Sequence, residues 1–106
     1  MEPGGRSPEE LETLLEDVCV LRDRSALAGL FEEHGLLVVG GAQSRGQAEI
    51  ARAASLSWSP GNSYVAETRR IFLARRTVLI LGEHATSVVI RDLDETWRYA
   101  ISVHGP

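Results

Sequence analysis

The chain contains no lysine: all 11 of its basic residues are arginine. Such a bias is the mark of GC-rich coding rather than of a physical requirement, and it points to a bacterial source such as an actinomycete. Against 15 acidic residues the formal net charge is −4. That balance excludes a basic field for nucleic acid and is too small to suggest an acidic tail. Cysteine occurs once, as Cys19, so no intrachain disulfide can form, in keeping with a reducing compartment. Cys19 falls in an apolar helical pattern, which suits an inert core thiol. No apolar run approaches the roughly 18 residues of a membrane span. The opening MEPGGRSPEE lacks the apolar core of a signal peptide, and a soluble, cytoplasmic protein is expected.

Motifs are missing as well. There is no Cys-x-x-Cys or His-Glu-x-x-His, and the three histidines lie far apart in sequence, which speaks against a metal site. Gly40-Gly41 lacks both the spacing and the lysine of a nucleotide loop, and no Gly-x-Ser-x-Gly elbow exists. The expectation is no cofactor, no metal, and neither nucleic acid nor membrane as a partner.

What is present reads as one α+β domain. A chain of 106 residues buries about 65% of its unfolded surface, enough for one core. Residues 1–6, rich in Gly and Pro, read as a disordered terminus before a domain over 7–106. Ser7-Pro8-Glu9-Glu10 is a helix start with a capping serine, an early proline and a capping-box glutamate. Leu11, Leu14, Leu15, Val18 and Cys19 follow at helical spacing, to about Arg22. Asp23 caps a second helix whose apolar stripe is Leu27, Leu30 and Phe31, with Gly35 as its left-handed end. Leu36 to Val39 reads as a short strand buried on both sides, and Gly40-Gly41 ends it. A third helix is expected over about 47–56, and the SWSPGNS stretch, 57–63, as a loop. Four strands then follow, at about 64–74, 77–84, 86–92 and 96–104. Their short breaks make them hairpin neighbours in an antiparallel meander. Helices followed by such a sheet predict a layer that wraps its helices on one curved face and leaves a pocket.

Three stretches carry a family resemblance. Arg22-Asp23-Arg24-Ser25-Ala26-Leu27 with Leu30-Phe31-Glu32 resembles the "RD-x-x-AL-x-x-LF" opening of SnoaL-like proteins, in the nuclear-transport-factor-2-like superfamily that includes ketosteroid isomerase. Arg45-Gly46-Gln47-Ala48-Glu49-Ile50 resembles that family's start of helix three, and Asp94 through Ile101 its "DG-x-WR" closing strand. The resemblance spans about residues 8–104. It implies a cone-shaped, cystatin-like curved antiparallel sheet wrapped around N-terminal helices, a cavity at the open end, and homodimers through the sheet's outer face. It embraces isomerases, cyclases, dehydratases and epoxide hydrolases, and also non-catalytic binding proteins. Two departures stand out. The hairpin at Gly82–Ala85 is compressed, implying a smaller cavity. Glu95 replaces the usual turn glycine, so Asp94 or Glu95 must take a backbone geometry that glycine adopts more easily.

The family's carboxylate base would fall near Leu36–Gly41, where no Asp or Glu stands. His84 is then the leading acid–base candidate, on the Val78, Ile80, Gly82 face if alternation holds; its plainer reading is a solvent-facing hairpin end. Glu67, interrupting an apolar strand face with Arg69, is the second: either a buried base or an ordinary ion pair. Trp58 and Tyr64 flank the SWSPGNS loop and are candidates to stack on an apolar ligand, with lid packing as the alternative. Tyr99 can offer its hydroxyl to a ligand or pack in the core. His34 reads as a helix-end cation favoured by the dipole, and Arg69-Arg70 and Arg75-Arg76 as charges guarding a sheet edge. Trp97, Tyr99, Ile101 and Val103 are expected on one face, with Arg98 and Ser102 on the other. The functional expectation is binding of a small apolar or polycyclic molecule by a homodimer. The alternatives are an isomerase or cyclase moving a proton next to a carbonyl, and a protein-interaction module with a filled cavity.

Overall fold

The computed structural model describes residues 4–57 and 68–104, the side chains of 54–57 excepted. Trp58, Tyr64 and Glu67 therefore lie outside the described residues, as does most of the SWSPGNS loop. Three helices, α1 (Pro8–Leu21), α2 (Arg24–Gly29) and α3 (Gln47–Ser57), accompany six strands. The strands are β1 (Phe31–Val39), β2 (Ala42–Arg45), β3 (Thr68–Ala74), β4 (Thr77–Gly82), β5 (Ala85–Arg91) and β6 (Trp97–His104). Their order across the single sheet is β2-β1-β6-β5-β4-β3. The meander β3 to β6 is antiparallel throughout, but β1 joins β6 in parallel. No helix among the described residues is long and apolar enough to cross a membrane.

Local chemistry sets the helix starts. Ser7 accepts the Glu10 amide at 3.1 Å, and Asp23 accepts the Ala26 amide at 3.0 Å, satisfying amides that have no partner inside the helix. The Glu10 carboxylate accepts from the Arg6 amide rather than from Ser7, so the capping box closes one residue early. Residues 4–6 depart from the expected disorder. Gly5 exchanges two backbone hydrogen bonds with Trp97, at 2.9 and 2.7 Å.

The second helix ends earlier than its sequence pattern suggests. It stops at Gly29 with Leu30 as its cap, and Phe31, Glu32 and His34 belong to β1. Gly35 is therefore not a helix cap but a buried strand residue. A Cβ there would sit 3.2 Å from the Phe31 ring, so glycine admits the close approach of that side chain. His34 is exposed on β1 and has no helix terminus to complement. Gly40 and Gly41, both at positive φ (57° and 87°), form a two-residue turn. That turn pairs β1 with β2, since hairpins of this length require left-handed backbone. The polar run Ala42–Arg45 gives no strand signal of its own.

Residues alternate cleanly between the faces of β1 beyond Gly35, and of β4 and β5. Leu37, Val78, Ile80 and Val89 point inward to the helices and join Leu11, Leu15 and Val18 of α1, Leu27 and Leu30 near α2, and Ile50 of α3 in one core. Leu36 is only half-buried, so the first strand is covered on one side, not both. Strand β6 breaks its alternation. Val88 and Val89 are adjacent on β5 but pair with Ile101 and Tyr99, which leaves Ala100 as an extra residue. Such a bulge turns every later side chain to the opposite face. Trp97 and Tyr99 accordingly point inward, Ile101 and Val103 point outward at 39% and 41% exposure, and Ser102 is fully buried.

Tyr99 sits at the centre of this core. Its ring lies 5.3 Å from that of Phe31, its amide donates to the Leu30 carbonyl at 2.8 Å, and its hydroxyl donates to Glu12 Oε1 of α1 at 2.9 Å. Two outcomes are expected in chemical denaturation. Phe31→Ala removes a fully buried ring and should cost about 3–5 kcal/mol; a loss below about 1 kcal/mol would contradict its place in the core. Tyr99→Phe withdraws a donor from the buried Glu12 carboxyl and should cost about 1–3 kcal/mol, with Glu12→Gln recovering part of that loss in the double variant.

Candidate functional site

The inner face of the sheet is built from cross-strand rows. One row runs Ser44, Leu37, Ser102, Ser87, Ile80, Ile71 from β2 to β3. The next runs Ala42, Val39, His104, Ala85. Where α3 crosses the β1–β2 hairpin, Leu37, Val39, Ala42 and Ser44 face Ala53 across a pocket of about 140 Å³. The small side chains Ala42, Ser44 and Ala53 leave the space, and the two larger ones make it apolar. A dry apolar cavity of about 150 Å³ holds one benzene-sized ring, whereas drug-sized ligands occupy about 300–1,000 Å³.

A polar chain runs along the inner face beside this pocket. Ser87 Oγ and Ser102 Oγ are 2.9 Å apart, and Ser102 Oγ lies 2.9 Å from His104 Nε2. Ser102 and His104 are the parallel-strand neighbours of Leu37 and Val39. Burial lowers the pKa of His104 below its ordinary value, because an apolar surrounding disfavours the imidazolium. The histidine is thereby kept as a neutral hydrogen-bonding group next to the pocket wall.

The expected site residues do not converge on this pocket. His84 is exposed in the bend between β4 and β5, beyond the end of the strand whose inward face was expected to carry it. Tyr99 is fully buried, with its hydroxyl on Glu12, and the pocket walls do not include it. Arg69 forms an ion pair with Glu83 on the exposed edge strand β3. Among the described residues, no group of three acidic, histidine or cysteine side chains is placed to hold a metal. Ser102 and His104 escape a reading by strand alternation because the Ala100 bulge moves them to the inner face. No signal in the sequence singles them out, since β5 and β6 also carry Thr86, Arg91 and Arg98.

A scan of protein-family models finds no match, and a search of curated proteins finds none either. Solved structures do match. A candidate calcium/calmodulin-dependent protein kinase type II association domain from Thiobacillus denitrificans superposes with a TM-score of 0.80 at 16% identity, over 99% of this chain and 98% of the other. A ketosteroid isomerase-like protein from Erwinia carotovora atroseptica gives 0.79 at 11% identity, over 92% and 91%. An NTF2-like protein of unknown function from Shewanella oneidensis gives 0.74 at 15% identity, over 92% and 95%. Likenesses at such identity speak for the backbone and not for the chemistry. The chain has the α+β, cystatin-like fold of nuclear-transport-factor-2-like proteins.

Proposed function

We propose that this protein binds a small apolar molecule, of single-ring size, in the pocket between the β1–β2 hairpin and α3. The pocket itself is the observation that carries this reading. Among the described residues its walls are four apolar side chains and Ser44, a lining that suits an apolar ligand. Its volume of about 140 Å³ suits one ring better than the polycyclic ligands that a SnoaL-like resemblance suggests.

The bound form would be a homodimer through the outer face of the sheet. One outer row, Leu36, Ile101, Val88, Leu79 and Phe72, is apolar across five strands. Of these, Ile101 and Phe72 stay 39% and 48% exposed in the single chain. A contiguous apolar face is a poor surface to leave in water, and a second copy related by a two-fold axis lays the same row against itself. The likeness to a candidate association domain agrees with self-association.

Two measurements test these readings separately. Benzene, added in a thermal-unfolding series, should raise the melting temperature of the wild-type protein and not that of Ala53→Leu, whose longer side chain fills the pocket. A wild-type melting temperature indifferent to benzene would overturn ligand binding at this place. Sedimentation velocity should show a wild-type dimer and a Val88→Arg monomer, because the guanidinium would be buried unpaired in the joint. A wild type that sediments as a monomer would remove the dimer and leave the pocket reading intact.

A further inference from the structure

The serines on the inner row of the sheet are not alike. The hydroxyls of Ser87 and Ser102 are bonded to each other at 2.9 Å, and Ser102 Oγ also lies 2.9 Å from His104 Nε2. Ser44 stands at the β2 end of the same row, opposite Leu37, and no other described residue hydrogen-bonds its hydroxyl. Its neighbours on β2 belong to the other face: Gln43 pairs with Val38 and Arg45 with Leu36, the outward positions of β1.

The pocket also has a direction. Val39 and Ala42, in the row nearest the Gly40–Gly41 turn, are exposed and mark its mouth. One row farther in, Leu37 is buried and Ser44 half-buried, and these two form its inner end. The Ser44 hydroxyl is thus the polar group of the described lining, and it sits where an entering ring would arrive first.

We propose that the ligand of this pocket is a neutral phenol, which enters hydroxyl first and lays its oxygen against Ser44 Oγ, with the far edge of the ring toward the mouth. The proposal rests on the reading of the pocket as a single-ring site. A serine hydroxyl both donates and accepts, so it completes a hydrogen bond with a phenol in either sense. A phenol hydroxyl carried among apolar side chains without a partner loses its water at a cost. The Ser44 hydroxyl removes that cost, and an unpaired buried polar group is penalised more than a paired one is rewarded. A carboxylate in the place of the hydroxyl is ill served. The described lining offers it a neutral donor and no cation, and a charge is far costlier to strip of water than a hydroxyl.

The test is a titration of the nitrogen-labelled full chain with benzene, phenol and benzoate, at about pH 7, where phenol is neutral and benzoate charged. It is followed by NMR through the backbone amides of Leu37, Ser44 and Ala53, in the wild type and in Ser44→Ala. Ser44 lies on the edge strand β2 and its hydroxyl bonds no other described residue, so the variant should melt as the wild type does. Phenol should bind the wild type at least as tightly as benzene, and benzoate should not bind. Ser44→Ala should weaken phenol about tenfold, because the ligand hydroxyl is then left unpaired, and should change benzene by less than about twofold. Benzene bound without phenol, an equal loss of both rings in Ser44→Ala, no loss of phenol, or benzoate bound as tightly as phenol would each overturn the phenol assignment and leave the single-ring pocket standing. If neither benzene nor phenol shifts the three amides, the pocket reading falls and the phenol assignment with it. If Ser44→Ala does not fold, the wild-type comparison of the three compounds decides alone.

Discussion

Inside the core, the Tyr99 hydroxyl donates to a Glu12 carboxyl that is itself only 7% exposed. A carboxyl removed from water in this way is costly unless a donor meets it, so the contact sets how α1 lies on the sheet. The same residue takes the Leu30 carbonyl on its amide and stacks near Phe31. Helix α1, the end of α2, and strands β1 and β6 are thus tied at one residue. The bent sheet, the parallel β1–β6 pairing and the space left under α3 are arranged around that knot.

The Ala100 bulge is the second constraint, and it works through parity. Before it, β6 presents Trp97 and Tyr99 to the helices; after it, Ser102 and His104 take the inner positions, and Ile101 and Val103 turn outward. One inserted residue therefore supplies two things at once. It brings a hydrogen-bonded serine–histidine chain beside an otherwise apolar pocket wall, and it completes the apolar row on the opposite face.

Polar groups on this small fold are concentrated where strands must be held in register. Ser87, Ser102 and His104 tie β5 to β6 on the inner side. Arg98, Asp92, Asp94 and Thr96 tie the β5–β6 hairpin at its tip. At that tip Glu95 takes φ 69°, the left-handed backbone that glycine would adopt at lower cost. The ion pairs and the Asp94–Thr96 hydrogen bonds hold the turn in that shape. Arg75, in the β3–β4 turn, takes a similar left-handed backbone at φ 60°, but it is the β5–β6 hairpin that Arg91–Glu95, Arg98–Asp92 and Arg98–Asp94 ion pairs cross-link.

Much of the fold was legible in the chain. Ser7 and Asp23 announced helix starts because capping is local chemistry. Leu11, Leu15 and Val18 announced a buried face because helical period is local geometry. The four later strands showed as runs broken by short turns, and their neighbour relations followed from the shortness of those turns. The edge position of β3 was legible too, in its arginines. The end of α2 was not, since Leu30 and Phe31 continue a helical stripe, and the parallel pairing with β6 draws Phe31 into a strand instead. Nor was β2, whose polar residues become a strand only because β1 offers them an edge. The site was the least legible part. A strand read by alternation places Ser102 on the wrong face. The bulge that corrects it arises from a pairing between β5 and β6 that no single segment encodes. By itself the sequence determined the elements and the apolar faces they must bury, because those depend on neighbours a few residues apart. Only the tertiary structure decided which side chains share the pocket, the Tyr99–Glu12 contact and the Ser87–Ser102 bond, because each joins residues distant in the chain whose meeting depends on register.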